Sequence, residues 1–174
     1  MTRVLFLCLI VLIGSIAPLP ADEKKAEELN WDNLIPPDFN PGKLLEEYNV
    51  EEMDDSDPRA AELMKKMKEV WKAAPVVESL EGRLIKLPGF VVPLETDKEL
   101  VTEFFLVPYY GACIHVPPPP ANQMVYVVMQ EGKGLKGSMF DAVWVTGTLT
   151  VKNTSNELGD AGYMMYGTQT EPYK

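Results

Sequence analysis

Two residues with metal-binding and acid–base chemistry stand two positions apart in this chain. Cys113 and His115 are separated only by Ile114, and four prolines follow at positions 117–120. In an extended segment, residues two apart point to the same side, so the thiol and the imidazole would share one small volume. The prolines favour a stiff polyproline II conformation, which holds such a pair at little entropic cost. This pair is the candidate functional site that the sequence offers.

Three interpretations of the pair remain open. A thiolate and an imidazole suit zinc or copper, although two ligands are too few and an acid, a methionine, water or a partner must complete the shell. A blue-copper centre is excluded, because it needs two histidines and the chain has one. The pair could instead be a nucleophile with its base, which requires a cleft and a third group to orient the ring. In the third interpretation both residues are structural.

In the metal interpretation, zinc is the expected ion and Cys113 and His115 are its ligands. Glu95 follows one predicted strand and Asp141 precedes another, so both acids would lie at strand ends as candidates for a third ligand. A site with two or three protein ligands stays open to water or to a partner, which fits handing a metal on. The sequence favours such a binding role over an enzymatic one.

The first residues are typical of a secretory signal peptide. Arg3 supplies a positive charge, residues 4–14 are apolar, and Ala21 is the small residue before a cut at Asp22. The apolar run is shorter than the roughly 20 residues that span a bilayer. Cys8 lies inside the run and lacks the small preceding residues that a lipidation site needs. The mature protein is therefore expected to begin near residue 22 and to be exported and soluble.

Cleavage would leave an acidic chain with one thiol. The 16 basic and 26 acidic side chains of the full sequence become 15 and 26 when Arg3 is removed, a net charge of −11. Such a chain repels phosphates and has no basic stripe, so nucleic acid is excluded as a ligand. Cys113 becomes the only cysteine, because Cys8 leaves with the signal, and no intramolecular disulfide can form. An unpaired exported thiol indicates burial, a metal or reactivity.

One amphipathic helix is predicted after an extended acidic arm at residues 22–56. Within the arm, Trp31 and Leu34 are apolar enough to pack against the domain that follows. Asp57 can cap free backbone N–H groups, and Pro58 suits the first helical position. An apolar face then recurs at three- and four-residue steps until a proline ends the helix. This face consists of Leu63, Met67, Val70, Trp71 and Ala74.

From residue 80 onward the apolar period changes to two, which predicts β-strands. The clearest strand is residues 143–151, where valines and a leucine face one way and Trp144 and three threonines face the other. Gly147 on the apolar side fits a bend or bulge of the kind that small barrels need. The predicted strands are residues 83–87, 90–94, 104–107, 124–129, 143–151 and 163–168. The fold class is therefore α+β, mainly β: a small antiparallel barrel that forms one domain with the helix, residues 57–174.

Three sequence blocks carry a resemblance to a known family. They are Leu-Pro-Gly-Phe-Val-Val-Pro-Leu-Glu at residues 87–95, Glu-Phe-Phe-Leu-Val-Pro-Tyr-Tyr-Gly-Ala-Cys-Ile-His-Val at residues 103–116 with the prolines behind it, and Val-Trp-Val-Thr-Gly at residues 143–147. Together they resemble domain-of-unknown-function family 3299, a family of exported bacterial proteins, over about residues 31–166. The block around Cys113 is the specific one.

The resemblance implies a periplasmic protein with a barrel like that of the oligonucleotide/oligosaccharide-binding (OB) fold. It also implies an accessory role near ABC-type transporters and in zinc homeostasis, while no activity is assigned to the family. Two hypotheses follow. In the first, an accessory protein binds zinc through Cys113 and His115. In the second, a non-enzymatic interaction module docks its proline-rich turn onto a membrane transporter or another envelope partner, and the two residues only shape that turn.

Overall fold

The structure, a computed structural model, describes residues 25–40, 42–50, 53, 57–112, 118–137 and 139–173. These residues form six β-strands and two α-helices. The strands are β1 Glu27–Glu28, β2 Leu84–Asp97, β3 Leu100–Val107, β4 Val125–Met129, β5 Ala142–Asn156 and β6 Gly159–Pro172; the helices are α1 Gly42–Glu47 and α2 Pro58–Lys72. Within the described ranges, no helix is both long enough and apolar enough to cross a bilayer. The predicted signal peptide lies outside them.

Hydrogen bonding closes five of the described strands into a ring. The order is β2-β3-β4-β6-β5, β5 pairs again with β2, and β1 extends the sheet beside β2. The prediction of a mainly β domain preceded by one longer helix is confirmed. The prediction that all pairings are antiparallel is wrong, because β1 runs parallel to β2 and β4 runs parallel to β6.

One strand replaces the two that the sequence predicts at residues 83–87 and 90–94. β2 continues through Pro88 and Gly89, where its partner changes from β5 to β3. The Pro88 carbonyl accepts a hydrogen bond from Trp31 Nε1 at 2.7 Å. A Cβ at Gly89 would come within 2.7 Å of Leu106 Cγ, so the glycine permits close packing. The turn-forming residues therefore mark a change of partner and not the end of a strand.

Side chains on the inner side of the ring form the main core. In β5 buried and half-buried residues alternate as predicted, and the register shifts at Gly147 as a bend or bulge requires. The other strands contribute Ile85, Leu87, Val91, Phe104, Leu106, Val125, Val127, Tyr163 and Met165. The alternating pattern of the sequence is therefore the pattern of the core.

The N-terminal arm is packed into this core. Leu34 is completely buried, and its carbonyl accepts a hydrogen bond from the Tyr163 hydroxyl at 2.8 Å. The same hydroxyl accepts a hydrogen bond from Val77 N at 2.6 Å. Gln123 Nε2 donates to the Trp31 carbonyl at 2.9 Å. The prediction that Trp31 and Leu34 pack against the domain is confirmed, and Tyr163 connects three distant segments.

Replacing Tyr163 by phenylalanine is expected to lower the free energy of unfolding by about 2 kcal/mol. The change leaves the carbonyl of the completely buried Leu34 and the N–H of the half-buried Val77 without this partner, and each buried unsatisfied group costs about 1–3 kcal/mol. Urea unfolding followed by circular dichroism measures the change. Tyr166→Phe on the same strand is the matched control, because Tyr166 is 51% exposed. Equal midpoints for the two variants would contradict the bridging role of Tyr163.

Helix α2 begins as the sequence predicts. Asp57 caps it by accepting a hydrogen bond from Arg59 N at 2.8 Å, and Pro58 is its first residue. Leu63 is buried in the predicted apolar face, whereas Met67, Val70 and Trp71 are half-buried. The apolar face of α2 is therefore only partly covered.

Candidate functional site

Residues 113–117, which include Cys113 and His115, lie outside the described residues. Their convergence therefore remains a prediction, but the flanks show where the segment begins and ends. Ala112 and Met124 are both completely buried, in a second apolar cluster. Ala112 and Met124 are therefore held against the same outer face of the ring.

The second cluster lies on the outer side of the ring. Side chains alternate along β3, so Phe104 and Leu106 point into the main core while Phe105 and Val107 point outward. Phe105 and Val107 are nevertheless completely buried, together with Ala112 and Met124. Ala112 and Met124, which lie between β3 and β4 in the chain, therefore help to cover the outer face of β3.

Aromatic side chains surround the point where this connection leaves β3. The Tyr110 ring lies 4.8 Å from the Phe140 ring and 6.1 Å from the Phe90 ring, centroid to centroid. Phe140 has a φ of 65°, in the left-handed region that bulky residues rarely adopt, and its N–H donates to the Val91 carbonyl at 2.7 Å. Such a conformation costs about 1–3 kcal/mol and is found most often at functional sites.

These aromatic residues also form an exposed patch. Tyr110 is 72% exposed, Met139 51% and Tyr109 44%. Together with the half-buried Phe90 and Phe140 they define what we call the tyrosine patch. Contiguous exposed apolar and aromatic groups are typical of surfaces that contact another molecule.

The two candidate third ligands occupy different positions relative to the Cys113 segment. Asp141 directly precedes Ala142, which pairs with Phe90, and Phe90 in turn pairs with Val107 at the end of β3. The contact between Tyr110 and Phe140 brings the same two chain segments together. The geometry therefore places Asp141 at the end of the ring from which the Cys113 segment departs.

Glu95 lies farther along β2. It is five residues beyond Phe90, or about 16 Å along the strand at 3.3 Å per residue. Its partner on β3 is Glu103. Both glutamates are on the outer face of neighbouring strands, where like charges directly opposite each other are unfavourable. Glu95 is therefore the less suitable of the two acids as a partner for Cys113.

A hydrogen-bonded pair on this outer face was not apparent from the sequence. The Tyr126 hydroxyl donates to Glu103 Oε2. This hydrogen bond, together with burial and the charges of Glu103 and Glu95, raises the pKa of Tyr126 to about 12. Only the pairing of β3 with β4 brings the two residues together, and no local spacing in the sequence signals it.

The raised pKa predicts a loss of stability in alkali. Because the folded pKa lies above the ordinary value of 10, the neutral hydroxyl stabilises the fold below pH 10, and this contribution is lost as the pH rises from 10 to 12. Tyr126→Phe is expected to flatten the decline in urea midpoint over that range, whereas Tyr166→Phe should leave it as in the parent. A decline of equal slope in the Tyr126→Phe variant would contradict this role.

Among the residues that the structure describes, no three His, Cys, Asp or Glu side chains are grouped to hold a metal. Cys113 and His115 are not among these residues. A metal centre, a thiol nucleophile and a structural turn therefore all remain open on geometry alone.

Comparison with known proteins gives a consistent family match. The family described as "Protein of unknown function (DUF3299)" matches residues 31–172. The crystal structure of a DUF3299 family protein from Pseudomonas aeruginosa is 41% identical and has a TM-score of 0.67, with 86% of this chain and 97% of that chain covered. An OBody bound to hen egg-white lysozyme is 16% identical over 60% of this chain and 92% of that chain, and its TM-score of 0.39 is too low to bear on the fold. No curated protein matches.

Proposed function

This chain belongs to the DUF3299 family, and from that premise we propose that it is a periplasmic accessory protein that binds zinc through Cys113 and His115. The observation that carries the proposal is the placement of the single histidine and of the single cysteine outside the predicted signal, two residues apart, between the buried residues Ala112 and Met124. Thiolate and imidazole are the ligands that zinc prefers. Binding would also protect the thiol from oxidation.

We propose Asp141 as the third ligand. Its support is the departure of both chain segments from one end of the ring, next to Phe90, and the ring contact between Tyr110 and Phe140. A carboxylate oxygen completes a Cys-His-Asp set and leaves the fourth zinc position open. An open position admits water or a ligand from another protein, as transfer of the ion requires.

We further propose that the ring is an OB-type barrel. Counted from β2 to β6 as first to fifth, its strands close in the order first, second, third, fifth, fourth. The third strand, β4, is parallel to the fifth, β6. OB folds bind their ligands on the face of the second and third strands and with the loops beside it. Here those strands are β3 and β4, and the connection that carries Cys113 and His115 joins them. The proposed metal site would therefore occupy the usual binding side of the fold.

The charges on this face do not favour nucleic acid as a ligand. Single strands are held by basic grooves with stacking aromatic residues. The outer face of β3 and β4 instead presents Glu103 beside Tyr126, with Glu95 opposite. We expect no micromolar, salt-sensitive binding to a random single-stranded oligonucleotide. Such binding in a fluorescence anisotropy titration would overturn this part of the proposal.

Zinc titration of the reduced mature protein tests the proposed function. We expect one Zn²⁺ per chain in competition with a chromophoric chelator, and a dissociation constant at least about 100-fold weaker in Cys113→Ser or His115→Gln, because each removes a metal ligand. Asp141→Asn should weaken binding about tenfold. Glu95→Gln is the matched carboxylate control and should change affinity less than about twofold. A folded parent protein that binds no Zn²⁺ at micromolar concentration would refute the proposal.

The tyrosine patch favours a second candidate function, docking onto a transporter or another envelope protein. Tyr110, with 72% of its surface exposed, is its most accessible residue. A photo-crosslinking amino acid at position 110 should capture a discrete partner in whole cells, whereas the same group at the exposed position 65 on α2 should not. Equal labelling from both positions would count against a specific docking surface.

A further inference from the structure

A cleft separates helix α2 from the turn that joins β5 to β6. Its volume is ≈ 390 Å³, within the roughly 300–1,000 Å³ typical of sites for small molecules. Lys68, Trp71 and Lys72 form one wall, since residues three and four apart share a helix face. Pro118 and Pro119 belong to another. The described lining shares no residue with the tyrosine patch and does not include Asp141.

Trp71 gives the cleft both an apolar surface and an unused donor. Its side chain is half-buried, and no described residue accepts a hydrogen bond from its Nε1–H. Trp31, by contrast, donates to the Pro88 carbonyl. A ligand in the cleft that carries an acceptor atom can therefore accept a hydrogen bond from this N–H.

The charged side chains of the cleft indicate which acceptor group a ligand would carry. Lys72 Nζ lies 3.3 Å from Asp160 Oδ1, and these two groups neutralise each other. Lys68 has no ion-pair partner among the described residues and stands one helical turn from Trp71. Glu157 lies on the opposite side, in the turn. An anionic group would therefore face the helix, where Lys68 and Trp71 are, and point away from Glu157.

We propose that this cleft binds a small carboxylate with an apolar or aromatic body. The carboxylate accepts from Lys68 Nζ and Trp71 Nε1, and the body packs against the rings of Pro118 and Pro119. The Lys68 ammonium and the Trp71 indole N–H, which have no partner in the part of the chain that the structure describes, complement the charged group of the ligand, and the two prolines complement its apolar body.

The three tryptophans provide a direct test by ¹⁵N NMR of the mature protein with 4-phenylbutanoate as the probe. We expect saturable movement of one indole N–H signal, with a dissociation constant on the order of 1 mM for a ligand of this size. Trp71→Phe assigns that signal. The signals of Trp31 and Trp144 should stay in place. The uncharged 4-phenylbutanamide should bind at least about threefold more weakly.

Matched charge variants complete the test. Lys68→Gln should weaken binding of 4-phenylbutanoate about three- to tenfold, whereas Lys65→Gln, an exposed lysine of the same helix outside the cleft, should change it less than about 1.5-fold. Glu157→Gln should leave binding unchanged or strengthen it. The proposal fails if the Trp71 signal does not move at 10 mM, if acid and amide bind equally, or if Lys68→Gln has no more effect than Lys65→Gln. None of these outcomes depends on zinc, so the proposal fails or stands independently of the proposed function.

Discussion

A chain of residues 36–174 is expected not to fold, in contrast to one of residues 22–174. The deletion removes the completely buried Leu34, the buried Leu29 and the hydrogen bond from Trp31 to Pro88, and it exposes the edge of β2 that β1 covers. Burial of one leucine is worth about 1.5–3 kcal/mol, so the two leucines alone account for about 3–6 kcal/mol. Whole domains have only about 5–15 kcal/mol of stability.

Urea unfolding of residues 22–174 and 36–174 measures this effect. Because the shorter form is expected to aggregate, Leu34→Ala in the chain of residues 22–174 provides a soluble variant, with an expected loss of about 3 kcal/mol. Asp32→Ala, an exposed position in the same short turn, is the control and should stay within about 0.5 kcal/mol. A shorter form with the midpoint of the longer one would show that the arm is dispensable.

Replacing Gly147 by alanine is expected to cost about 3 kcal/mol. A Cβ at this buried position would lie 2.8 Å from Met165 Cγ and 2.9 Å from Gly167 Cα, and it would also meet the Tyr166 carbonyl. Two of these contacts are with backbone, which cannot move away as a flexible side chain does. Overpacking of this kind costs about 1–3 kcal/mol or more.

The neighbouring residue provides the control for that variant. Thr148 is next in β5, and its side chain faces outward, so Thr148→Ala should cost less than about 1 kcal/mol. Thermal and urea unfolding of both variants would give the comparison. If the two variants have the same unfolding midpoints, the register shift at position 147 does not require a glycine.

Local patterns predicted the parts of the fold that depend on neighbours in sequence. The cap at Asp57, the helix behind it, the alternation of β5 and the bend at Gly147 all follow from spacings of a few residues, and all are confirmed. The continuity of β2 could not be predicted in this way. Whether Pro88 and Gly89 end a strand or bend it depends on partners in β3 and β5 that are remote in sequence.

In the candidate site, too, residue types and local spacings could be predicted, whereas contacts between remote strands could not. The spacing of Cys113 and His115 and the acids Glu95 and Asp141 could be identified from residue types alone. The preference for Asp141 could not, because it depends on Phe90 pairing with two strands at once. The cleft beside Trp71 could not be predicted either. The sequence indicates that the Trp71 side chain belongs to the apolar face of α2, but not that this side chain remains half exposed.

The hydrogen bond from Tyr163 to Leu34 affects when the protein can fold relative to its export. It joins residues 129 positions apart, and the parallel pairing of β4 with β6 also needs the last strand. Contacts between such distant residues make folding slow, because a long loop must close before they contribute. If the chain is exported as proposed, the arm emerges first but cannot dock until nearly all of the polypeptide has crossed. The topology would thereby keep the protein unfolded and threadable during translocation and delay ring closure until its arrival.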